Sequence, residues 1–255
     1  MIIALHADSI RLNNYLRETV FKGVCMIAEN IRSVEDRIQK ACERAGRKRD
    51  DVTLICVTKT MPVDDLRQAY DAGQRSFGEN RVQEINDKFP QLPDDIRWHM
   101  IGHLQTNKVR YLMDKAVMIH SVDSAHLAKA ISKEAVKAGR VMDILLEVNA
   151  AGEESKFGLG YQEVLPLVRE IAPLPGIHIC GLMTVAPYTE DPETNRVFFK
   201  NIRELAVDID RQCIDNVSMA VLSMGMTGDF EVAIEEGATH IRVGTAIFGR
   251  RNYAV

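Results

Sequence analysis

The chain has 255 residues, of which 46% are hydrophobic and 27% are charged, and its formal net charge is -4. This composition is typical of an ordinary soluble globular protein. The acidic balance disfavours a nucleic-acid-binding protein, which normally carries a basic excess. No apolar run approaches the roughly 20 residues that a membrane helix needs, so no membrane partner is expected.

Residues 1–25 carry the weakest pattern in the chain. The apolar run from Ile2 to Leu5 has no basic flank before it, and His6 and Asp8 follow at once, so a secretory signal is not expected. We expect residues 1–25 to be a weakly ordered extension and residues 26–255 to form one folded domain.

Helix-like and strand-like segments alternate from residue 27 onward. An opening helix is predicted from Ile27 to Ala45, where apolar residues recur at helical spacing before Gly46. Strands are predicted at 52–59, 75–78, 98–102, 116–120, 141–148, 177–185, 218–222 and 240–243. Helices are predicted at 63–72, from 79, after a cap at Thr106, and at 124–138, 161–171, 192–211 and 229–236.

This alternation predicts the fold class. Continuous apolar strands between amphipathic helices indicate a parallel sheet that is covered on both faces. Eight such units in a chain of this length predict a single (β/α)8 TIM-type barrel with an extra N-terminal helix. An open doubly wound sheet is the alternative, but no G-x-G-x-x-G motif follows the first strand.

The five cysteines are scattered and form no C-x-x-C pair. Two of them, Cys56 and Cys180, lie in apolar strand-like runs. We therefore expect buried free thiols in a reducing cytoplasm and neither a disulfide framework nor a zinc site.

A lysine ends the first apolar strand, which begins at Val52. Burial there would remove the hydration of the Lys59 ammonium and lower its pKa, and a neutral amine can attack a carbonyl to form a Schiff base. A lysine that merely reaches solvent at the end of a strand is the alternative. Lys59 gains importance only if the other end of the chain supplies a partner site.

Two loops near the end of the chain supply that site. The segments Ser223 to Asp229 and Arg242 to Ala246 follow the last two predicted strands, where phosphate often binds in such barrels. Both combine glycines, which let backbone N–H groups approach an anion, with hydroxyl groups that donate to it. The first also leads into a helix amino terminus, which favours phosphate.

A lysine with a phosphate site leaves two cofactor interpretations open. A phosphorylated sugar forms such a Schiff base in an aldolase, and pyridoxal 5'-phosphate (PLP) is an aldehyde of the same kind. Arg242 favours PLP, because a guanidinium facing a pyridine nitrogen can only donate and keeps that nitrogen unprotonated. A surface salt bridge is the alternative role for Arg242.

A set of motifs then points to one family. These motifs are Val57-Thr58-Lys59-Thr60, Phe77-Gly78-Glu79-Asn80, His99 to Lys108, Gly181-Leu182-Met183-Thr184, Leu222 to Asp229, and Arg242 to Gly249. Together they closely resemble the pyridoxal phosphate homeostasis proteins, which share the barrel of the alanine racemase N-terminal domain. The resemblance covers roughly Ile27 to Tyr253.

The resemblance implies a set of cofactor contacts. It implies that Lys59 carries PLP as an internal aldimine, that Arg242 faces the ring nitrogen, and that Asn80 and Met183 lie near the ring. The residues implied at the phosphate are Ser223, Thr227, Gly244 and Thr245, with Gly225 in the same cofactor-binding loop. Position 227 is often serine in this family, and threonine keeps the hydroxyl. No catalytic residue and no metal ligand is implied.

The resemblance also implies a function. The chain is expected to be a cytoplasmic, monomeric PLP carrier that maintains vitamin B6 and amino-acid balance, with PLP-dependent apoenzymes as acceptors and no enzymatic activity of its own. A racemase or decarboxylase with the same barrel is the first alternative. Those enzymes carry an additional β domain, which we do not expect here because the chain ends where the barrel ends. A Schiff-base aldolase acting on a phosphorylated sugar is the second alternative.

Two histidines lie four residues apart, a spacing that suits a metal site on a helix. His99 and His103 lie in a strand and the following turn, where this spacing does not bring them to one face as a helix would. We expect His99 in packing or hydrogen bonding and His103 near the cofactor.

Overall fold

The computed structural model describes residues 26–153 and 157–249. These ranges leave out the predicted extension, residues 1–25, and the end of the predicted domain, residues 250–255. Within them, eight parallel strands close into a barrel in sequence order, with β1 paired to β8. The predicted (β/α)8 barrel is confirmed, and so is the helix before it, which spans residues 26–44 and is named α1.

The strands and helices alternate as predicted. The strands are β1 Thr53–Val57, β2 Ser76–Glu79, β3 Arg97–Met100, β4 Ala116–Val122, β5 Met142–Val148, β6 Ile177–Thr184, β7 Val217–Ser223 and β8 His240–Val243. The further helices are α2 Val63–Asp71, α3 Val82–Lys88, α4 Ala125–Lys137, α5 Tyr161–Ile171, α6 Arg196–Asp210, α7 Phe230–Glu235 and α8 Thr245–Phe248. No helix among the described residues is long and apolar enough to cross a membrane.

The hydrophobic core has two parts. The larger part lies between the strands and the surrounding helices and contains the largest buried side chains, among them Phe77, Trp98, Phe199 and Phe230. A smaller cluster consists of Met118, Leu145, Cys180 and Met183. Burial of this much apolar surface is the main force that holds such a barrel together. The predicted burial of Cys56 and Cys180 as free thiols is confirmed.

The helix α1 covers the outside of the barrel near its last units. Arg37 and Arg44 form ion pairs with Glu231 on α7, at 2.8 and 3.0 Å. The Asn30 side chain donates to the carbonyl oxygen of Ile247 on α8 at 2.9 Å. The extra helix therefore ties the start of the described chain to the two loops that were predicted to bind phosphate.

Two predicted boundaries at the candidate site were wrong. The strand β1 ends at Val57, because Thr58, Lys59 and Thr60 form a turn in place of two more strand residues. Glu79 ends β2 and does not begin a helix, since α3 starts only at Val82.

The helix predicted after Thr106 is a short 3-10 helix at Thr106–Tyr111, and Gln105 occupies its cap position without a side-chain hydrogen bond. Ser124, by contrast, caps α4 as predicted, with its hydroxyl accepting from the N–H of Leu127.

Candidate functional site

The lysine turn lies at the carboxyl end of β1. The carbonyl oxygen of Thr58 accepts the N–H of Met61 at 3.0 Å and closes a four-residue turn with Lys59 and Thr60 at its centre. Thr60 has a φ of 63°, which is uncommon for a β-branched residue and costs backbone energy. Lys59 is half-buried. Within the described part of the chain, its Nζ has no hydrogen-bond or ion-pair partner.

Two side chains from α3 fix this turn on either side of Lys59. Lys88 Nζ donates to the carbonyl oxygen of Thr58 at 2.9 Å. The N–H of Thr60 donates to Glu84 Oε2 at 2.7 Å, and Lys88 Nζ binds the same oxygen at 2.9 Å. These contacts hold the backbone before and after Lys59, so they also hold the strained conformation of Thr60.

The third partner of Lys88 is a buried carboxylate at the end of β2. Glu79 is fully buried, and its Oε1 accepts from Lys88 Nζ at 2.7 Å and from the Thr58 hydroxyl at 2.6 Å. Burial raises the pKa of Glu79, while the Lys88 ammonium and the two hydrogen bonds oppose that shift. All three N–H donors of the Lys88 ammonium are therefore satisfied, as a buried charge requires.

Asn80 is placed by the backbone around it. A Cβ atom on Gly102 would lie 2.6 Å from the carbonyl oxygen of Asn80 and 2.7 Å from its Cα. Only glycine allows the loop after β3 to approach the end of β2 this closely. This close approach gives a physical reason for Gly102 in the His99 to Lys108 motif.

Arg242 on β8 is a buried cation. It is 4% exposed, and it donates from Nη1 to Ser223 Oγ at 2.7 Å and from Nη2 to the carbonyl oxygen of Thr184 at 2.8 Å. Burial lowers the pKa of Arg242 to about 10, against the opposing effect of Glu147 and Asp229. The side chain therefore stays cationic at neutral pH, and three of its five N–H donors have no partner among the described residues.

Two neutral histidines continue the hydrogen bonds of Arg242 into the barrel. Ser223 Oγ lies 2.9 Å from His120 Nδ1, and His120 Nε2 lies 3.0 Å from His99 Nδ1. Burial holds the pKa of both histidines well below the usual value.

The directions of these bonds follow from Arg242, which can only donate. Ser223 accepts from it and donates its own proton to His120, which donates to His99. This assignment leaves one buried atom without a partner, His99 Nε2. The reverse direction would also leave the Ser223 hydroxyl proton unpaired.

The two glycine-containing loops lie side by side. The N–H of Arg242 donates to the carbonyl oxygen of Gly225 at 3.0 Å, and the N–H of Ala246 donates to Thr227 Oγ1 at 3.3 Å. Gly225 has a φ of 90°, and a Cβ there would lie 2.6 Å from the Ala233 Cβ on α7. This position therefore requires glycine.

The same loops offer donors for an anion. The oxygen of the Thr227 hydroxyl accepts from Ala246, and its proton has no acceptor among the described residues. The backbone N–H groups of Thr227 and Thr245 have no acceptor in the described part of the chain. Asp229 fixes the first loop, with Oδ1 accepting from the N–H of Met226 at 2.7 Å and Oδ2 from Asn195 Nδ2 at 2.9 Å.

These groups meet in one cavity of about 380 Å³ at the carboxyl ends of the strands, a volume in the range of small-molecule sites. Six of the nine predicted cofactor-binding residues line it, namely Lys59, Asn80, Thr227, Arg242, Gly244 and Thr245. Four apolar residues that sequence reasoning had not assigned complete the lining: Val57, Ile101, Val185 and Met226. A larger cavity of about 650 Å³ lies elsewhere, at residues 172–177 and 214–216, away from these groups.

The other three predicted residues lie beside or below the cavity. Met183 is 1% exposed and packs in the cluster that contains Leu145. Gly225 shapes its loop through the contact with α7. Ser223 is fully buried, and its hydroxyl is engaged with Arg242 and His120. In this conformation Ser223 orients Arg242, so its contact with a phosphate stays a prediction.

An acid near Arg242 was not predicted from the sequence. Glu147 on β5 carries a carboxyl whose pKa is raised to about 7 by burial and by the charge of Asp123, while Arg242 opposes the shift. His103 stacks on Phe157 with ring centroids 4.2 Å apart and lies 3.7 Å from Asp123. The sequence did contain a signal that marks Glu147 as a candidate site residue. It lies near the end of an apolar strand, where carboxylates are rare.

The fold and the site now define a class of protein. The chain forms a closed parallel barrel, and its residues 30–252 match the family of the alanine racemase N-terminal domain. The pyridoxal phosphate homeostasis protein of Aquifex aeolicus is 49% identical over 226 residues, which are 88% of this chain and 98% of the relative. The chain belongs to the pyridoxal phosphate homeostasis protein family.

Solved structures agree with this assignment. PipY of Synechococcus elongatus with PLP bound has a TM-score of 0.77 and 35% identity, over 88% of this chain and all of PipY. An alanine racemase from Clostridium difficile has a TM-score of 0.70 and 13% identity, over 90% of this chain and 58% of the racemase. At this identity the racemase shows the shared fold alone.

Proposed function

We propose that this chain binds PLP covalently through Lys59 and acts as a carrier in PLP and amino-acid homeostasis. The observation that supports this most directly is the shared cavity. It joins a lysine amine that has no partner among the described residues to a buried arginine with N–H donors that none of those residues accepts. Lys59 supplies the amine, Arg242 donates to the ring nitrogen, and the loops at Thr227 and Thr245 hold the phosphate. The name of the Aquifex relative and the PLP in PipY agree with this proposal.

The residues of the cavity fit the group they would hold. Bound PLP supplies an aldehyde that condenses with amines and a ring that withdraws electrons from the adduct. Free hydroxyl and N–H donors at Thr227 and Thr245 suit a phosphate dianion, because hydrogen bonds to a charged group are stronger than neutral ones. The apolar walls at Val57, Ile101 and Val185 suit the faces of a pyridine ring.

A carrier role fits the cavity better than catalysis. Among the described lining residues, Lys59 is the one side chain of a type that serves as a general acid or base, since the guanidinium of Arg242 can only donate. A racemase needs such a group on each face of the substrate α-carbon. Arg242 also disfavours protonation of the ring nitrogen, which weakens the ring as an electron acceptor. The carrier is proposed to be cytoplasmic and monomeric and to deliver PLP to apoenzymes.

Borohydride reduction followed by peptide mapping tests the covalent site. The protein saturated with PLP should absorb in the visible, lose that band on reduction, and carry the reduced label on Lys59. Lys59→Ala should give no label while still binding PLP reversibly through the loops. A label on another lysine of the wild-type protein, with Lys59 unmodified, would disprove the assignment.

The carrier proposal has its own test. The loaded protein is incubated with L-alanine, and the optical rotation of the amino acid is followed. We expect no loss of rotation at an enzymatic rate. Rapid loss of rotation would favour the racemase interpretation and would leave the covalent role of Lys59 intact.

A further inference from the structure

A second group of chemically active side chains lies at the opposite end of the barrel from Lys59. Asp143 is the second residue of β5, and it pairs in register with His178, the second residue of β6. Cys180 follows two residues later on β6. Side chains two apart on a strand point to the same face, so His178 and Cys180 approach Asp143 together.

The three side chains form a compact triangle. His178 Nδ1 lies 3.1 Å from Asp143 Oδ1 and 3.2 Å from Cys180 Sγ. The three donor atoms all lie within 4.8 Å of one another.

We propose that Asp143, His178 and Cys180 bind a divalent transition-metal ion of the zinc type. An imidazole nitrogen, a carboxylate oxygen and a thiolate sulfur are ligands that Zn²⁺ and Co²⁺ accept in tetrahedral sites. Bond lengths of roughly 2.0–2.3 Å place neighbouring ligand atoms about 3.3–3.6 Å apart. The two separations from His178 Nδ1, 3.1 and 3.2 Å, need only a small outward shift to reach that spacing.

The surroundings of the triangle support this assignment. Cys180 is 5% exposed, while the side chains of His178 and Asp143 are 37% and 45% exposed. An ion can therefore enter from solvent and keep a water as its fourth ligand.

A metal-free role is the competing explanation. Burial, together with the Asp143 carboxylate, raises the pKa of the Cys180 thiol, so without a cation the sulfur keeps its proton and packs as an apolar atom. A bound cation removes that proton, because metal-coordinated thiols are deprotonated. The two states therefore differ in a property that can be measured directly.

Co²⁺ is the probe for this measurement, with the full chain loaded with PLP. Tetrahedral Co²⁺ with a thiolate ligand gives strong bands at the red end of the visible spectrum, where a PLP adduct does not absorb. Wild type should bind one Co²⁺ with such bands, and Zn²⁺ should remove them. Cys180→Ser should lose the bands and bind at least about tenfold more weakly. Cys213→Ser, at an exposed free cysteine, is the matched control and should behave as wild type.

Thermal unfolding gives a second readout. An ion that binds only the folded state raises the unfolding midpoint, so Zn²⁺ should raise it for wild type and not for Cys180→Ser. Asp143→Asn, at a partly exposed carboxylate, serves if Cys180→Ser does not fold, and it should also weaken Co²⁺ binding. Equal Co²⁺ uptake by wild type and both variants, or only the weak bands of octahedral Co²⁺, would overturn the proposal.

Discussion

Lys88 Nζ donates to the carbonyl oxygen of Thr58 at 2.9 Å, so a buried lysine on α3 holds the residue directly before Lys59. The same ammonium binds Glu79 at 2.7 Å and Glu84 at 2.9 Å. The two lysines therefore have different tasks. Lys88 is fully engaged in hydrogen bonds, while Lys59 is free to react.

The first prediction concerns the hydrogen bond from the N–H of Thr60 to Glu84. Glu84→Ala removes the acceptor of the Thr60 N–H and loosens the turn that aims Lys59 into the cavity. We expect PLP to dissociate about tenfold faster, which corresponds to about 1.4 kcal/mol. The measurement is the loss of the visible band after dilution into excess competing amine.

Glu84→Gln is the matched control for this prediction. A glutamine oxygen still accepts from the Thr60 N–H, so its dissociation rate should stay near that of wild type. Equal rates for Glu84→Ala and wild type, at an unchanged unfolding midpoint, would show that this contact does not position Lys59.

The second prediction separates the roles of Ser223 and Thr227. If Ser223 orients Arg242, Ser223→Ala should weaken the binding of PLP and of phosphate-free pyridoxal by the same factor. Thr227→Ala should weaken the binding of PLP and not that of pyridoxal. The loss in binding free energy should be about 1–3 kcal/mol, for a lost hydrogen bond to a charged phosphate. Equilibrium titration of both ligands against both variants makes the comparison.

The outcomes of this comparison are distinct. If Ser223→Ala weakens the binding of PLP and not that of pyridoxal, then Ser223 contacts the phosphate, as the family resemblance implies. If Thr227→Ala weakens the binding of pyridoxal and of PLP equally, then Thr227 does not contact the phosphate.

Local patterns predicted the barrel well because each strand carries its own signal. The strand β5, for example, has three consecutive buried residues, Ile144 to Leu146, and the helix α5 was predicted with the observed bounds. Boundaries failed where tertiary contacts decide the backbone. The turn at Lys59 depends on Lys88 and Glu84, which lie 30 and 24 residues from their backbone partners.

The candidate site was predictable in outline and not in detail. The family motifs named six residues that line the cavity. The hydrogen bonds from Ser223 to His120 join residues 103 apart, and no local pattern reports such a pair. The triangle of Asp143, His178 and Cys180 was missed for the same reason, since cysteine spacing alone does not reveal a register pair between two strands.

The third prediction uses the raised pKa of Glu147. Its ordinary value is 4.5 and its value in the folded protein is about 7, so the folded state holds this proton more tightly than the unfolded chain. The contribution of Glu147 to stability therefore falls as the pH rises from 4.5 to about 7. Glu147→Gln does not titrate. The free energy of unfolding of this variant, relative to wild type, should rise by about 2 kcal/mol across that range.

Urea unfolding at the two ends of this pH range measures the difference. Glu190→Gln, at an exposed position, is the control and should show no such change. A difference between Glu147→Gln and wild type that stays constant with pH would show that the Glu147 carboxyl is not perturbed in the folded protein.

The last prediction concerns Arg242 and separates a carrier from a catalyst. A pyridine ring withdraws charge from a substrate best when its nitrogen is protonated, and an acidic partner favours that protonation. Arg242 has the opposite effect, because its cation disfavours a second positive charge nearby. Arg242→Glu should permit protonation and allow slow conversion of bound PLP to pyridoxamine phosphate in the presence of L-alanine.

Arg242→Gln removes the charge without adding an acid and should convert more slowly than Arg242→Glu. Both proteins must first be shown to fold and bind PLP, since Arg242 is buried and contacts Thr184 and Ser223. Loss of the visible band and appearance of pyridoxamine phosphate are followed together. If wild type converts as fast as Arg242→Glu, then Arg242 does not restrain the ring, and the electrostatic argument for a carrier fails.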